Sequence, residues 1–301
     1  MESATRGDQS VRLQGTLTPR ADSSAVLELY PGEAEDVGTP SVLVTGGAPR
    51  LFEAFFDSQY LHTSNVYLTE RATMETGILV NTVQAAFTPR PLSAGDGQIA
   101  FRAGYRHQRY NYGLDKTSNQ FNNIDFDSGT AFLNGRYTFG RNWTALFEVD
   151  YNRLISHEDG WHEFYTELSP VWGLERQFPI SPSQWISLAF VGSFHWTYTE
   201  ASPDTNSSNR LDSILALSYN VEALPRLLLQ PYYRIQHSHY SESTGRDDLL
   251  HTAGISVVYQ LTDRASIRSF VSWEARESSD SSIADYRKLD AGGGLSLVFQ
   301  F

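Results

Sequence analysis

The 301-residue chain contains no cysteine, two methionines, and no apolar run near the roughly 18 residues from which a membrane-crossing helix is built. Without cysteine there are no disulfides and no thiolate metal centres. Without the apolar run there is no transmembrane helix in these residues. Positive charge is also scarce: 23 Lys and Arg stand against 35 Asp and Glu, for a net charge of −12 and a pI near 5.1. That balance argues against nucleic acid, whose binders carry basic patches. No glycine-rich phosphate loop, GxSxG elbow or HExxH helix is present, and no cofactor is expected.

Aromatic residues are abundant instead, at 13%, with 16 Tyr, 17 Phe and 6 Trp. The mean hydropathy of −0.37 is that of a chain whose apolar residues are dispersed rather than massed. They are dispersed with a period of two, the signature of strands with one apolar and one polar face. In 143–151, Trp143, Ala145, Phe147, Val149 and Tyr151 alternate with Thr144, Glu148 and Asp150. In 186–198, Ile186, Leu188, Phe190, Phe194, Trp196 and Tyr198 alternate with Ser187, Ser193, His195 and Thr197. The spacing predicts twelve strands near 53–66, 74–88, 97–112, 126–139, 142–156, 161–176, 184–199, 208–222, 226–240, 248–261, 264–277 and 286–301, with poor alternation in the first two.

The connections form a second pattern. Counted back from Phe301, long polar links (277–286, 241–248, 201–210) alternate with short ones (262–264, 222–225, 179–182). Only 89–96, Pro-Arg-Pro-Leu-Ser-Ala-Gly-Asp, is longer than its side predicts. Residues 1 to about 50 carry Pro-Gly and Gly-Gly breaks with two short apolar runs, Ala25–Tyr30 and Ser41–Val44, which suits loops and brief strands.

The last thirteen residues, Leu289-Asp-Ala-Gly-Gly-Gly-Leu-Ser-Leu-Val-Phe-Gln-Phe301, place apolar side chains at odd positions and end on an aromatic. This stretch resembles the terminal strand of Gram-negative outer-membrane β-barrels. The resemblance implies an all-β fold: a transmembrane antiparallel meander barrel of about twelve strands over 53–301, preceded by a periplasmic extension or plug at 1–52. Short turns then face the periplasm and long loops the exterior. It also implies location in the outer membrane and contact with its lipid and lipopolysaccharide. Met1-Glu-Ser-Ala-Thr-Arg lacks the layout of a signal peptide, so a mature, exported chain is expected.

In such a barrel the polar alternate positions line the lumen. Arg102, Arg106, Arg136, Arg234 and Arg268 would form basic parts of the wall, and Glu148, Asp150, Glu163, Glu167, Glu175 and Glu274 acidic parts. Opposed charges of this kind sort small polar or charged solutes, and passive passage is the function expected. A wall whose charges pair with one another would instead give a non-conducting structural or assembly subunit. Such a subunit would meet an envelope partner through residues 1–50 or the outer loops. Inward Tyr110, Tyr165, Tyr232 and Tyr240 fit hydrogen bonding to these charges. Asn122, Asn123, Asp125 and Asp127 bring hard oxygens together, but no calcium-loop pattern accompanies them, and no metal site is assigned.

One local motif carries a catalytic alternative. Leu61-His62-Thr63-Ser64-Asn65 sets His62 and Ser64 two apart on a strand, hence on one face. The His-x-Ser-Asn spacing is similar to that of outer-membrane phospholipase A and the lipid A deacylases. That resemblance implies a lipid hydrolase with His62 as base and Ser64 as nucleophile. The chain departs from it at Val66, where the phospholipase motif has Gly, and lacks its Tyr-Thr-Gln pattern. His237, His239 and His251 fall on the lipid-facing side near the outer rim, where they suit a headgroup girdle.

Overall fold

The computed structural model describes residues 51–71, 73–114, 124–140, 142–156, 161–198, 209–241 and 245–301. The expected extension or plug falls, up to residue 50, outside them. Twelve long strands form a closed antiparallel meander: β1 (Phe52–Thr63), β2 (Thr76–Phe87), β4 (Gly97–Tyr112), β5 (Phe126–Phe139), β6 (Trp143–Ser156), β7 (His162–Ser181), β8 (Gln184–Thr197), β9 (Arg210–Leu224), β10 (Leu227–Tyr240), β11 (Asp247–Thr262), β12 (Ala265–Ser278) and β13 (Tyr286–Gln300). β1 pairs with β13 from Glu53↔Gln300 to Thr63↔Asp290, and this seam closes the barrel. Closure leaves no long edge unpaired.

The overlong 89–96 link has a structural cause. It holds a thirteenth, three-residue strand, β3 (Leu92–Ala94), which pairs with Gly97–Ile99 and extends the sheet below β2. The tight turn from β3 to β4 uses Gly95 at φ +60°, a conformation in which a Cβ would be strained. At the same end, the β9–β10 turn holds Arg226 at φ +69°. Its carbonyl oxygen is tied down by accepting from Gln260 N at 2.9 Å.

Alternation decides which face each residue takes. On β6, Phe147 and Tyr151 are exposed outside, while Glu148, Asp150 and Asn152 are buried inside. The exposed apolar set continues around the barrel through Val83, Leu133, Leu174, Phe190, Leu215, Ile255, Val271 and Leu295. A predominantly apolar exterior over a largely polar interior inverts the arrangement of a water-soluble protein and is the arrangement a bilayer requires. Aromatic rings border this band at the short-turn end. Phe52 packs on Phe87 at 5.5 Å between ring centroids, and Phe139 stacks on Trp143 at 6.5 Å. The Arg176 guanidinium lies 5.0 Å over Trp143 and 4.7 Å over Phe178. Towards the long-loop end, Tyr105 and Tyr151 stand on one row either side of Ala131.

The weak alternation of the first two strands is explained by what points inward. Phe55, Leu61, Ile78 and Val80 are apolar yet face the interior. Leu61, Ile78 and Val80 join Tyr110, Phe126, Leu154 and Phe270 in one internal cluster, where Tyr110 and Phe126 stack at 4.4 Å. Phe55 joins Trp185, Leu228, Val258 and Val298 in another. These strands obey the pleat; their inner face is simply apolar for part of its length.

Candidate functional site: the inner wall of the barrel

The inner wall is the place where this chain concentrates chemistry. Arg102, Arg106, Arg136, Glu148, Asp150, Glu167, Glu175, Arg234, Arg268 and Glu274 all sit on inward positions and are buried. Glu163 does not. A register shift between Leu154 and Ile155 of β6 makes Tyr165 and Glu163 partners of successive residues and leaves Phe164 as the extra residue of a bulge. Counting across the bulge by twos therefore assigns the wrong face. Glu163 lies on the exposed side instead, where Arg153 Nε donates to it at 2.6 Å. Thr166 also donates to its carboxylate.

The inward charges are matched locally rather than sorted into two opposed walls. Arg102 Nη2 meets Glu53 Oε1, and the Arg268 guanidinium donates to Gln59 and lies 3.9 Å from Asp57, whose carboxylate accepts from Ser296 Oγ at 2.6 Å. Lys288 Nζ stands between Glu274 (3.3 Å) and Asp290 (3.1 Å), with Tyr286 donating to Glu274 at 2.8 Å. Arg276 lies 4.6 Å over the Tyr286 ring. Asn134 donates to Glu148 at 3.2 Å. Charges withdrawn from bulk water are tolerated only when paired and bonded in this way. The sequence lists these residues without their partners, because the pairing depends on the register of neighbouring strands.

The densest group is centred on His195 of β8. Its Nδ1 lies 3.0 Å from Ser169 Oγ and 3.1 Å from Glu167 Oε2 on β7. Its Nε2 lies 3.0 Å from Ser193 Oγ and 3.1 Å from Asp212 Oδ2 on β9. Arg210 Nε donates to the same Asp212 oxygen at 3.1 Å, and Tyr165 donates to Glu167 at 2.6 Å. Register creates this site: Ser193 faces Asp212 and His195 faces Arg210 across β8–β9, while Val171 faces Ser193 across β7–β8. Sequence reading finds His195 on the polar face of its strand but not the group.

Some inward polar atoms have no hydrogen-bond partner among the described residues: both amide atoms of Gln84, the Trp185 indole N–H and the Ser256 hydroxyl. Buried polar atoms of this kind are costly unless something polar meets them.

The sequence candidates His62, Ser64, His237, His239 and His251 fall outside the interior. Ser64 Oγ accepts from the Leu289 amide at 2.7 Å and Ser64 N donates to Leu289 O at 2.9 Å, so this hydroxyl extends the β1–β13 ladder. His62 Nε2 lies 3.7 Å from Glu75. His237 Nε2 and His239 Nδ1 both approach Asp247 Oδ1, at 3.1 and 2.9 Å, and Tyr233 OH lies 2.6 Å from His251 Nδ1. Among the described residues no group of three such side chains is arranged to hold a metal. Asp125 instead accepts from the Tyr112 amide at 2.7 Å and from Asn111 at 3.1 Å; Asp127 faces Arg109 and His107, each at 3.7 Å. Asn122 and Asn123 lie outside the described residues.

No family model matches this sequence, and no curated protein matches it. Among solved structures, the chain is similar to the translocator domain of the autotransporter NalP from Neisseria meningitidis, at 11% identity and a TM-score of 0.50 over 98% of this chain and 96% of that one. It is also similar to the beta domain of the Bordetella autotransporter BrkA, at 14% identity and a TM-score of 0.48 over 83% of this chain and 100% of that one. The NanC porin matches at 7% identity and a TM-score of 0.45, covering 80% of this chain and 98% of its own. At these identities the likeness is one of fold.

Proposed function

We propose that this chain, whose fold is that of the outer-membrane β-barrels, is a passive, non-enzymatic pathway across the outer membrane for small polar or charged solutes. The carrying observation is the inner wall, where Arg102, Arg106, Arg136, Arg234 and Arg268 are interleaved with Glu148, Asp150, Glu167, Glu175 and Glu274 behind an apolar exterior. The unpartnered amide of Gln84 and the Ser256 hydroxyl add to the polar demand of that interior. A wall built this way stabilises water and dissolved charge and disfavours apolar contents. On this reading the partners are the solutes inside and outer-membrane lipid and lipopolysaccharide outside, with residues 1–50 acting as a periplasmic extension or plug.

A second reading, a non-conducting structural or assembly barrel, is supported by the pairs themselves. Lys288 with Glu274 and Asp290, and Arg268 with Asp57 and Gln59, brace one side of the interior against itself. Such a barrel would meet an envelope partner through residues 1–50 or the outer loops. Single-channel recording in planar bilayers, with and without residues 1–50, separates the two. Steady current whose ion selectivity changes in Glu148→Gln or Arg136→Gln supports the pathway, and current only after truncation makes the N-terminal segment its plug. Silence from both forms, together with a stable co-purifying partner, would establish the structural reading instead.

A further inference from the structure

Both ring nitrogens of His195 face carboxylates as well as hydroxyls. Nδ1 is 3.1 Å from Glu167 and Nε2 is 3.1 Å from Asp212, on strands that flank β8 on either side. An ionised carboxylate can only accept, and a neutral imidazole has a single N–H. The two contacts are therefore both hydrogen bonds only while the ring carries both protons. Removing one proton turns a charge-assisted bond into a lone pair facing a carboxylate oxygen, in a site where His195, Glu167 and Asp212 are all buried. The serines do not change this count: Ser169 and Ser193 can each donate to a bare nitrogen, but the carboxylate oxygen stays at 3.1 Å.

We infer that His195 is a proton-operated latch that ties β7, β8 and β9 together on the inner wall. The groups facing it are Tyr165, Glu167 and Ser169 from β7, and Arg210 and Asp212 from β9. Arg210 already satisfies one Asp212 oxygen, so the net charge of Glu167, Asp212, Arg210 and His195 is zero with the ring doubly protonated and −1 without the second proton. The latch holds at low pH, so long as the carboxylates stay ionised, and loosens as pH rises through the titration of this ring. The interaction is internal to three adjacent strands and does not depend on conduction. Where the barrel conducts, the same event would change the charge on this part of its wall.

The test compares wild type with His195→Gln, which keeps polarity but cannot titrate, in lipid vesicles between pH 5.5 and 9. Amide hydrogen exchange of β7–β9 is followed against β1, β2 and β13 as internal reference. After correction for the intrinsic rise of amide exchange with pH, protection of β7–β9 in wild type should fall about tenfold or more towards the alkaline end, the reference strands should keep the same protection in both proteins, and His195→Gln should show no step of its own. Identical pH profiles for the two proteins would overturn the latch. Should His195→Gln fail to insert, carbon-13 histidine NMR of wild type gives the second reading. A His195 ring whose titration coincides with the exchange step supports the latch, and one that titrates with no accompanying step refutes it.

Discussion

Lys288→Met tests whether the interior pairs hold the barrel together. The ammonium of Lys288 lies 3.1 Å from Asp290 and 3.3 Å from Glu274, and all three side chains are buried. Methionine keeps most of the stem volume and removes the charge, leaving two carboxylates without their cation. Breaking a buried pair from one side costs about 3–5 kcal/mol, chiefly the penalty of the charge left behind. The Tyr286 hydroxyl donates to Glu274 with or without the lysine, so it cancels from the difference. The expected loss is then about 3–5 kcal/mol, or roughly 150- to 5,000-fold in the folded-to-unfolded ratio. Urea unfolding from lipid vesicles, followed by fluorescence of the six tryptophans, measures it. The triple variant Lys288→Met, Glu274→Gln, Asp290→Asn should recover most of the loss at neutral pH. A single variant within about 1 kcal/mol of wild type at pH 7 would refute the reasoning.

The other expectations are smaller in scope. Glu163→Gln should change stability by less than about 1 kcal/mol, since its Arg153 pair is half-exposed, while Glu167→Gln should cost more; equal effects would contradict the bulge at Phe164. Gly192→Val should lose about 1–3 kcal/mol in the same unfolding assay, because a Cβ there would lie 2.6 Å from Trp172 Cζ2 and force the indole off its seat. An unchanged unfolding midpoint would argue against that packing. Ser64→Ala should cost about 1 kcal/mol through the lost acceptor for the Leu289 amide. A fatty-acid release activity abolished by this change would show the hydroxyl to be a nucleophile. Because the chain has no cysteine of its own, single cysteines at Phe147 and Glu148 can carry spin labels. The first should contact lipid-soluble relaxation agents and the second should not.

How much of this was legible in the sequence depends on whether the signal was local. Strand number and lipid-facing side follow from a period of two, which each strand carries within itself: Trp143 to Tyr151 and Ile186 to Tyr198 point as read. The odd link at 89–96 announced an irregularity that the short strand β3 explains. The binary pattern points Glu163 inward because a bulge leaves no mark in it; only the pairing of Leu154 and Ile155 with Tyr165 and Glu163 exposes the extra residue. The first two strands looked weak because Phe55, Leu61, Ile78 and Val80 are apolar on the inner face. The His195 group was invisible for a different reason. Its members lie on three strands, and nothing in a single sequence fixes which position of one strand stands opposite which of the next. His62 and Ser64 show the converse: adjacent residues made a motif, and the fold uses Ser64 in the backbone ladder.

The β1–β13 seam also sets an order on how the molecule can be made. Asp57 meets Ser296 across it, a sequence separation of 239 residues. No such contact exists until the final strand has left the ribosome and crossed to its destination. Until then both β1 and the growing end present open edges, the surfaces on which β-chains pair with the wrong neighbour. The entropy of closing so long a loop grows only about 0.6 kcal/mol per doubling of length, so thermodynamics tolerates the arrangement. Kinetics does not tolerate it as readily, since a topology joined end to end has high contact order and folds slowly. A copy of this chain cut short before Tyr286 would therefore keep both edges open, leaving β1 and β12 without the strand that joins them.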